Sequence, residues 1–207
     1  MRFLIILILV LLNGFTLSAQ SEIGFKVGTN YSNLGFSSFT DLTNTYSYKL
    51  DIHSGLTFNR QLNEKLQANV ELLYSRKGYN NEFQDGSESR VSLTYFTLPV
   101  LLGLEAIDNV TLLIGPEIGY LIGAQSKTNG VKTDIRNLWP EKLDIGLSAG
   151  VRVDLSSIVY LEGRYTQGLT GIQDITFVDD NGFDLGTAQA RNRNWQISLG
   201  FRYPFEW

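Results

Sequence analysis

The chain has a single histidine, so any histidine-dependent chemistry must pass through His53. Acyl hydrolases and transferases need a nucleophile and a base on one face, within hydrogen-bond reach. The residues around His53 alternate as in a strand: Asp51 shares its face, and Ser54 lies on the other. The adjacent serine therefore fails the test, and a nucleophile would have to come from another strand. A lone histidine on a polar face reads as a hydrogen-bonded filler. No enzymatic activity is expected.

Charged residues recur at alternate positions along much of the chain. Lys26, Asp51, Glu71, Glu105, Glu117, Asp144, Arg152, Asp154, Glu162, Arg164 and Arg202 fall on the face opposite the large apolar residues of their segments. Inside a closed sheet they would form a paired polar interior, unlike the greasy cavity of a soluble lipid carrier. Asp51, His53, Glu71, Glu117, Arg152, Asp154, Glu162, Arg164 and Arg202 are the candidates for that lumen network. An eight-stranded barrel is only wide enough to be filled by side chains. The charges therefore predict cross-links between strands before they predict transport.

Other chemistries find little support. There is no cysteine, which removes disulfides and thiolate metal sites. Asp174, Asp179, Asp180, Asn181 and Asp184 cluster near one another, but they lack the spacing of a calcium loop ending in a bidentate glutamate. They read as a solvated loop, and no metal or cofactor is expected. Gly28, Gly115, Gly119 and Gly150 lie in strand-like segments without a following helix, so they are no phosphate loop.

The elements that must position the charges follow from period-two alternation. Trp195, Ile197, Leu199, Phe201, Tyr203, Phe205 and Trp207 alternate with polar or small residues to the final position. Similar patterns at 23–32, 49–60, 66–77, 91–105, 110–124 and 143–154, and around Val159 to Thr166, bring the number of strands to eight. Residues 61–65, 106–109 and 155–157 read as short turns, whereas 33–48, 78–90, 125–141 and 169–192 read as long polar loops. Short turns at one end and long loops at the other are the arrangement of an outer-membrane barrel, with the short turns in the periplasm. Tyr31, Tyr74, Tyr95, Tyr120, Trp139, Tyr165, Trp195, Tyr203 and Trp207 are then expected in the aromatic girdles.

The N-terminus carries an export signal: Arg2, an apolar run over 3–12, and Leu17, Ser18 and Ala19 before a cut at Gln20. The run is too short to span a membrane as a helix. Residues 1–19 are thus read as a cleaved signal peptide and 20–207 as the barrel domain. The 12% aromatic content, 20 glycines and 4 prolines suit strands and turns. A mean hydropathy of −0.05 suits a barrel whose faces cancel. A formal net charge of −4 offers no footprint for nucleic acid. The fold class expected is all-β: an eight-stranded antiparallel up-and-down transmembrane β-barrel of the outer-membrane type.

Several segments, in order, carry a resemblance. They are residues 24–34 (GFKVGTNYSNL), 71–78 (ELLYSRKG), 95–102 (YFTLPVLL), 115–122 (GPEIGYLI), 144–155 (DIGLSAGVRVDL) and 164–170 (RYTQGLT). The set resembles the Bacteroidetes outer-membrane β-barrel family that includes PorT. The resemblance implies a bacterial outer-membrane location, outer-membrane lipid as the surroundings, and envelope proteins as partners. For one reading it implies an accessory role in type IX protein secretion. Gly200, Tyr203 and Phe205 resemble the C-terminal signal read by the barrel-assembly machinery, although Glu206 and Trp207 follow it.

Overall fold

In the computed structural model, residues 21–36, 46–82, 88–139, 141–178 and 184–205 are described. The signal segment, Asp179 to Asn181 and the terminal Glu206 and Trp207 lie outside them. Among the described residues there are ten strands and one short 3-10 turn. The strands are β1 (Ser21–Phe36), β2 (Tyr46–Gln61), β3 (Leu66–Glu82), β4 (Glu88–Ile107), β5 (Val110–Thr128), β6 (Val131–Asp134), β7 (Leu143–Asp154), β8 (Val159–Gly168), β9 (Gln173–Val178) and β10 (Asp184–Phe205). Eight form the ring β1-β2-β3-β4-β5-β7-β8-β10, and β10 closes it by pairing with β1. Every pairing is antiparallel between neighbours, from Ser21 opposite Phe205 to Phe36 opposite Ala190 at the closing seam. The short β6 folds back on β5, and β9 folds back on the start of β10.

The period-two pattern sets the two faces. Phe25, Ile52, Leu56, Leu72, Phe96, Ile114, Leu147, Leu161, Ile197 and Phe201 point outward and are exposed. Lys26, His53, Glu71, Glu117, Arg152, Glu162 and Arg164 point inward and are buried. A sheet that is apolar outside and charged inside inverts the rule for water-soluble proteins, and it suits a hydrocarbon surrounding. The interior is not charged throughout, because Leu73, Leu101 and Leu113 from β3, β4 and β5 are also buried.

The long loops expected over 33–48, 78–90, 125–141 and 169–192 are, where described, largely strand. β3 and β4 stay paired as far as Glu82 opposite Glu88. β5 and β6 meet in a tight turn at Asn129 and Gly130, both with positive φ. The reason is physical. Beyond the apolar belt the outward face turns polar, which mimics a loop in sequence, but the inward face turns apolar and keeps the strands together. Leu34, Tyr79, Val91, Leu93, Ala124, Trp139, Ile172 and Ala190 form a buried cluster there. The short turns are found as expected. The turn before β3 is held by Asn63 Oδ1, which accepts from the backbone N–H groups of Lys65 and Leu66.

Two aromatic expectations are corrected. Tyr95 and Trp139 are each 1% exposed and belong to the interior. Tyr95 lies on the inward parity of β4. Trp139 follows the 3-10 turn Arg136–Leu138, which returns the chain over the barrel end. Tyr31, Tyr74, Tyr120, Trp195 and Tyr203 do face outward.

Candidate functional site

The lumen charges meet in two buried clusters. In the first, Arg164 makes a two-pronged contact with Glu71, at 3.0 and 2.6 Å, and reaches Glu162 at 2.5 Å. Lys26 Nζ donates to the same two carboxylates, at 2.8 Å to Glu71 and 3.0 Å to Glu162. Arg152 grips the other oxygen of Glu162 through Nε and Nη2, at 3.3 and 3.2 Å, and donates through Nη1 to Asn69 Oδ1 at 3.0 Å. In the second cluster Lys77 Nζ lies 2.8 Å from Glu117 and 3.6 Å from Asp144. Ser148 and Thr166 also donate to Glu117, each at 3.4 Å.

These clusters hold Lys26, Lys77, Arg152 and Arg164 against Glu71, Glu117, Asp144 and Glu162, and no side chain among them is more than 5% exposed. The formal charges cancel. Cancellation matters, because an unpaired buried charge costs several kcal/mol, of order 3–5. The contacts run across the barrel, joining β1, β3, β7 and β8 in one cluster and β3, β5 and β7 in the other.

Asp51, Asp154 and Arg202 were expected in the same network but stand apart from it. Asp51 pairs with Lys49 and lies 3.6 Å from Arg76. It sits where the β2–β3 register shifts between Tyr48 and His53, so its partners are local. Arg202 pairs with Asp154 at 3.1 Å and with Glu22 at 3.6 Å near the short-turn end. A polar cavity of about 170 Å³ opens there, lined by these residues and by Gln61, Lys65, Gln67, Glu105 and Thr111. The fully buried Tyr160 ring stands between this mouth and the central cluster, with the guanidinium of Arg152 4.5 Å from its centre and that of Arg202 5.9 Å away.

His53 sits beside the network in a third arrangement. Its Nε2 is 2.8 Å from Ser198 Oγ, and its Nδ1 is 3.0 Å from Asn30 Oδ1. With Nδ1–H donating to that carbonyl oxygen, Nε2 is free to accept from the serine hydroxyl. This is the order of contacts in a nucleophile, base and orienting amide. Here the three residues are 2%, 0% and 0% exposed for Ser198, His53 and Asn30. Asn30 Oδ1 also accepts from Asn194 and Gln196, each at 3.1 Å. The oxygen thus serves as a hub tying β1, β2 and β10 together.

Parity alone pointed to most of these positions. Lys77, the last residue of the expected strand 66–77, lies on the face of Glu71 and Ser75, so parity was the signal that could have found it. Ser198 and Asn30 could not be paired with His53 from sequence, since that needs the register that sets Gly28 opposite both His53 and Ser198. Of the C-terminal trio, Gly200 faces inward, and a Cβ there would lie 2.0 Å from Tyr160 Cζ, so the ring occupies the space a side chain would need. Tyr203 faces outward and is 70% exposed. The backbone of Phe205 pairs with Ser21.

A family model described as "Outer membrane protein beta-barrel domain" matches residues 18–174. The chain belongs to this outer-membrane β-barrel family. Its place is the bacterial outer membrane, with lipid around the outward apolar belt. Among solved structures, the Neisserial surface protein A is similar with a TM-score of 0.51 and 9% identity, over 87% of this chain and 97% of that one. Ail of Yersinia pestis is similar with a TM-score of 0.46 and 14% identity, over 90% and 100% of the two chains. OprG of Pseudomonas aeruginosa follows with a TM-score of 0.40 and 11% identity, over 90% and 96%. No curated protein matches in sequence.

Proposed function

We propose that this outer-membrane barrel is a non-enzymatic structural or interaction protein, acting through the surface at its long-connection end, which faces outside the cell. The observation that carries the reading is the filled lumen. Eight charged side chains, each in at least one ion pair, cross it, and Tyr160 and Trp139 stand on either side of them. An eight-stranded interior filled in that way supports cross-bracing rather than passage of a solute or an acyl chain. The Ser198–His53–Asn30 contacts have the order of a catalytic site, but burial denies them a substrate. The C-terminal strand, with Gly200, Tyr203 and Phe205, is the segment for the barrel-assembly machinery to read.

The test is complementation of a deletion strain, scored for envelope integrity. Ser198→Ala should complement fully, and the folded protein should resist labelling by a fluorophosphonate. A variant with the β5–β6 hairpin shortened by removing 127–132 should insert but fail to complement. Labelling at Ser198, or loss of function in Ser198→Ala with normal folding, would put an enzyme in place of this reading.

A second reading, an accessory of type IX secretion, is supported by the ordered segments from 24–34 to 164–170 that resemble the family including PorT. It predicts that the deletion strain loses secreted proteins while its envelope stays intact.

A further inference from the structure

The outer surface of β1, β10 and β8 carries a row of aromatic rings at one height. Tyr31, Trp195 and Tyr165 stand opposite one another in register. Tyr165 and Trp195 have ring centres 4.6 Å apart, and Tyr31 stacks on Tyr48 of β2 at 4.5 Å with 13° between planes. Rings in such a row mark the level where hydrocarbon gives way to headgroups. One step further toward the long connections, the outward residues in register are Asn33, Arg193 and Gln167. The next outward residue on β10 is Arg191, opposite Gly35.

These two arginines differ from two other arginines of the outer surface. Arg76 has Asp51, and Arg90 has Glu88. Arg191 and Arg193 make no ion pair among the described residues, and the Nε of each is buried without a hydrogen-bond partner. Asp174 of β9, opposite Gln189 of β10, is the outward carboxylate nearest in register, and it pairs with neither. Arg193 is nevertheless seated: a Cβ on Gly35 would lie 2.2 Å from its Nε, so the missing side chain of Gly35 is what lets the guanidinium lie against the strand. A planar fork with no internal carboxylate, held just above an aromatic shelf, matches a phosphate group on a lipid whose chains lie along the shelf.

We infer that Arg193 and Arg191, with Asn33 and Gln167 beside them, form a binding site for the phosphate group of an outer-leaflet lipid. Each arginine near an anionic surface should raise affinity about fivefold. The site requires the long-connection end to be outside, as proposed above.

The test uses the full mature chain folded in nanodiscs. The probe is an equimolar mixture of bisphosphorylated lipid A and its dephosphorylated form, and native mass spectrometry reads the lipid retained. The wild type should favour the phosphorylated form. Arg193→Gln should reduce that preference about fivefold, and the Arg191→Gln, Arg193→Gln pair more than either alone. A control pair away from the row, Arg90→Gln with Lys127→Gln, should keep it. Heat-modifiable migration confirms folding of each variant, and Arg193→Lys, which keeps the charge, should lose less than Arg193→Gln. Equal retention of both lipids by the wild type, or a preference untouched by the double variant, would overturn the inference. Full displacement by millimolar inorganic phosphate would also overturn it, in favour of a free-anion site. Orientation is read separately: labelling of a cysteine at Asn63 and not at Asn129 in intact cells would reverse the barrel without bearing on the lipid preference.

Discussion

The two ends of one strand obey opposite rules. On β10, Trp195, Ile197 and Leu199 face outward while Asn194, Gln196 and Ser198 face inward. Nearer its start, Ala188 and Ala190 face inward, and Arg191 and Arg193 lie on the outward parity. β4 repeats the inversion: Phe96 and Leu102 are outside in one part, and Val91 and Leu93 are inside in the other. The backbone and its pairing continue through the change. What changes is the solvent. In hydrocarbon, apolar side chains belong outside, and the filled lumen can hold charges if they pair. In water, burial of apolar surface drives the strands together from within. The barrel is a membrane protein over one part of its height and an ordinary soluble barrel over the rest.

The comparison can be broken most sharply at Glu162. It accepts from Lys26, Arg152 and Arg164, so Glu162→Ala leaves three buried cations facing Glu71 alone. A loss of about 3–5 kcal/mol is expected in urea unfolding of the detergent-folded barrel. A loss below that of a surface substitution would mean that the network does not brace the lumen.

The projecting region should fail by a different route. Leu93 is fully buried in the apolar cluster, and Leu93→Ala should cost about 2–5 kcal/mol. Because that cluster sits among the longest strand extensions, the loss should appear as proteolytic trimming of the end while the membrane band stays protected.

A matched pair then sharpens the boundary. Leu199→Arg places a charge on the lipid face, at a cost of about 2–4 kcal/mol near mid-membrane. Gln125→Arg places one on the outward face of the projecting part of β5, where surface changes are usually within about 0.5 kcal/mol. Insertion yield, read as heat-modifiable barrel in outer-membrane fractions, should fall for the first and hold for the second. Equal yields would erase the distinction between the regions. A modest effect is expected at Ser198→Ala, which removes one hydrogen bond to His53, worth about 1 kcal/mol.

The membrane band was legible in the sequence because its two faces differ strongly in hydropathy. Strand parity placed Glu71, Glu117, Arg152, Glu162 and Arg164 inside without any knowledge of partners. Which of them meet depends on register and on reach across the lumen, and Asp51, Asp154 and Arg202 fell out of the central cluster for that reason. The projecting part was misread as loop. Its pattern reverses sign, and an outward Arg90 or Lys127 looks like a turn when only the outward face is followed. Trp139 misled in a similar way, since an aromatic beyond a strand end suits a girdle as well as a plug.

The central claim is that paired charges fill the barrel, and planar-bilayer conductance of the purified, folded chain tests it most directly. Reconstituted protein should give no large steady current at moderate voltage, because Lys26, Arg152, Arg164, Glu71 and Glu162 occupy an eight-stranded lumen of a size that side chains fill. A stable, ohmic channel of porin size would contradict the account and make the barrel a transporter.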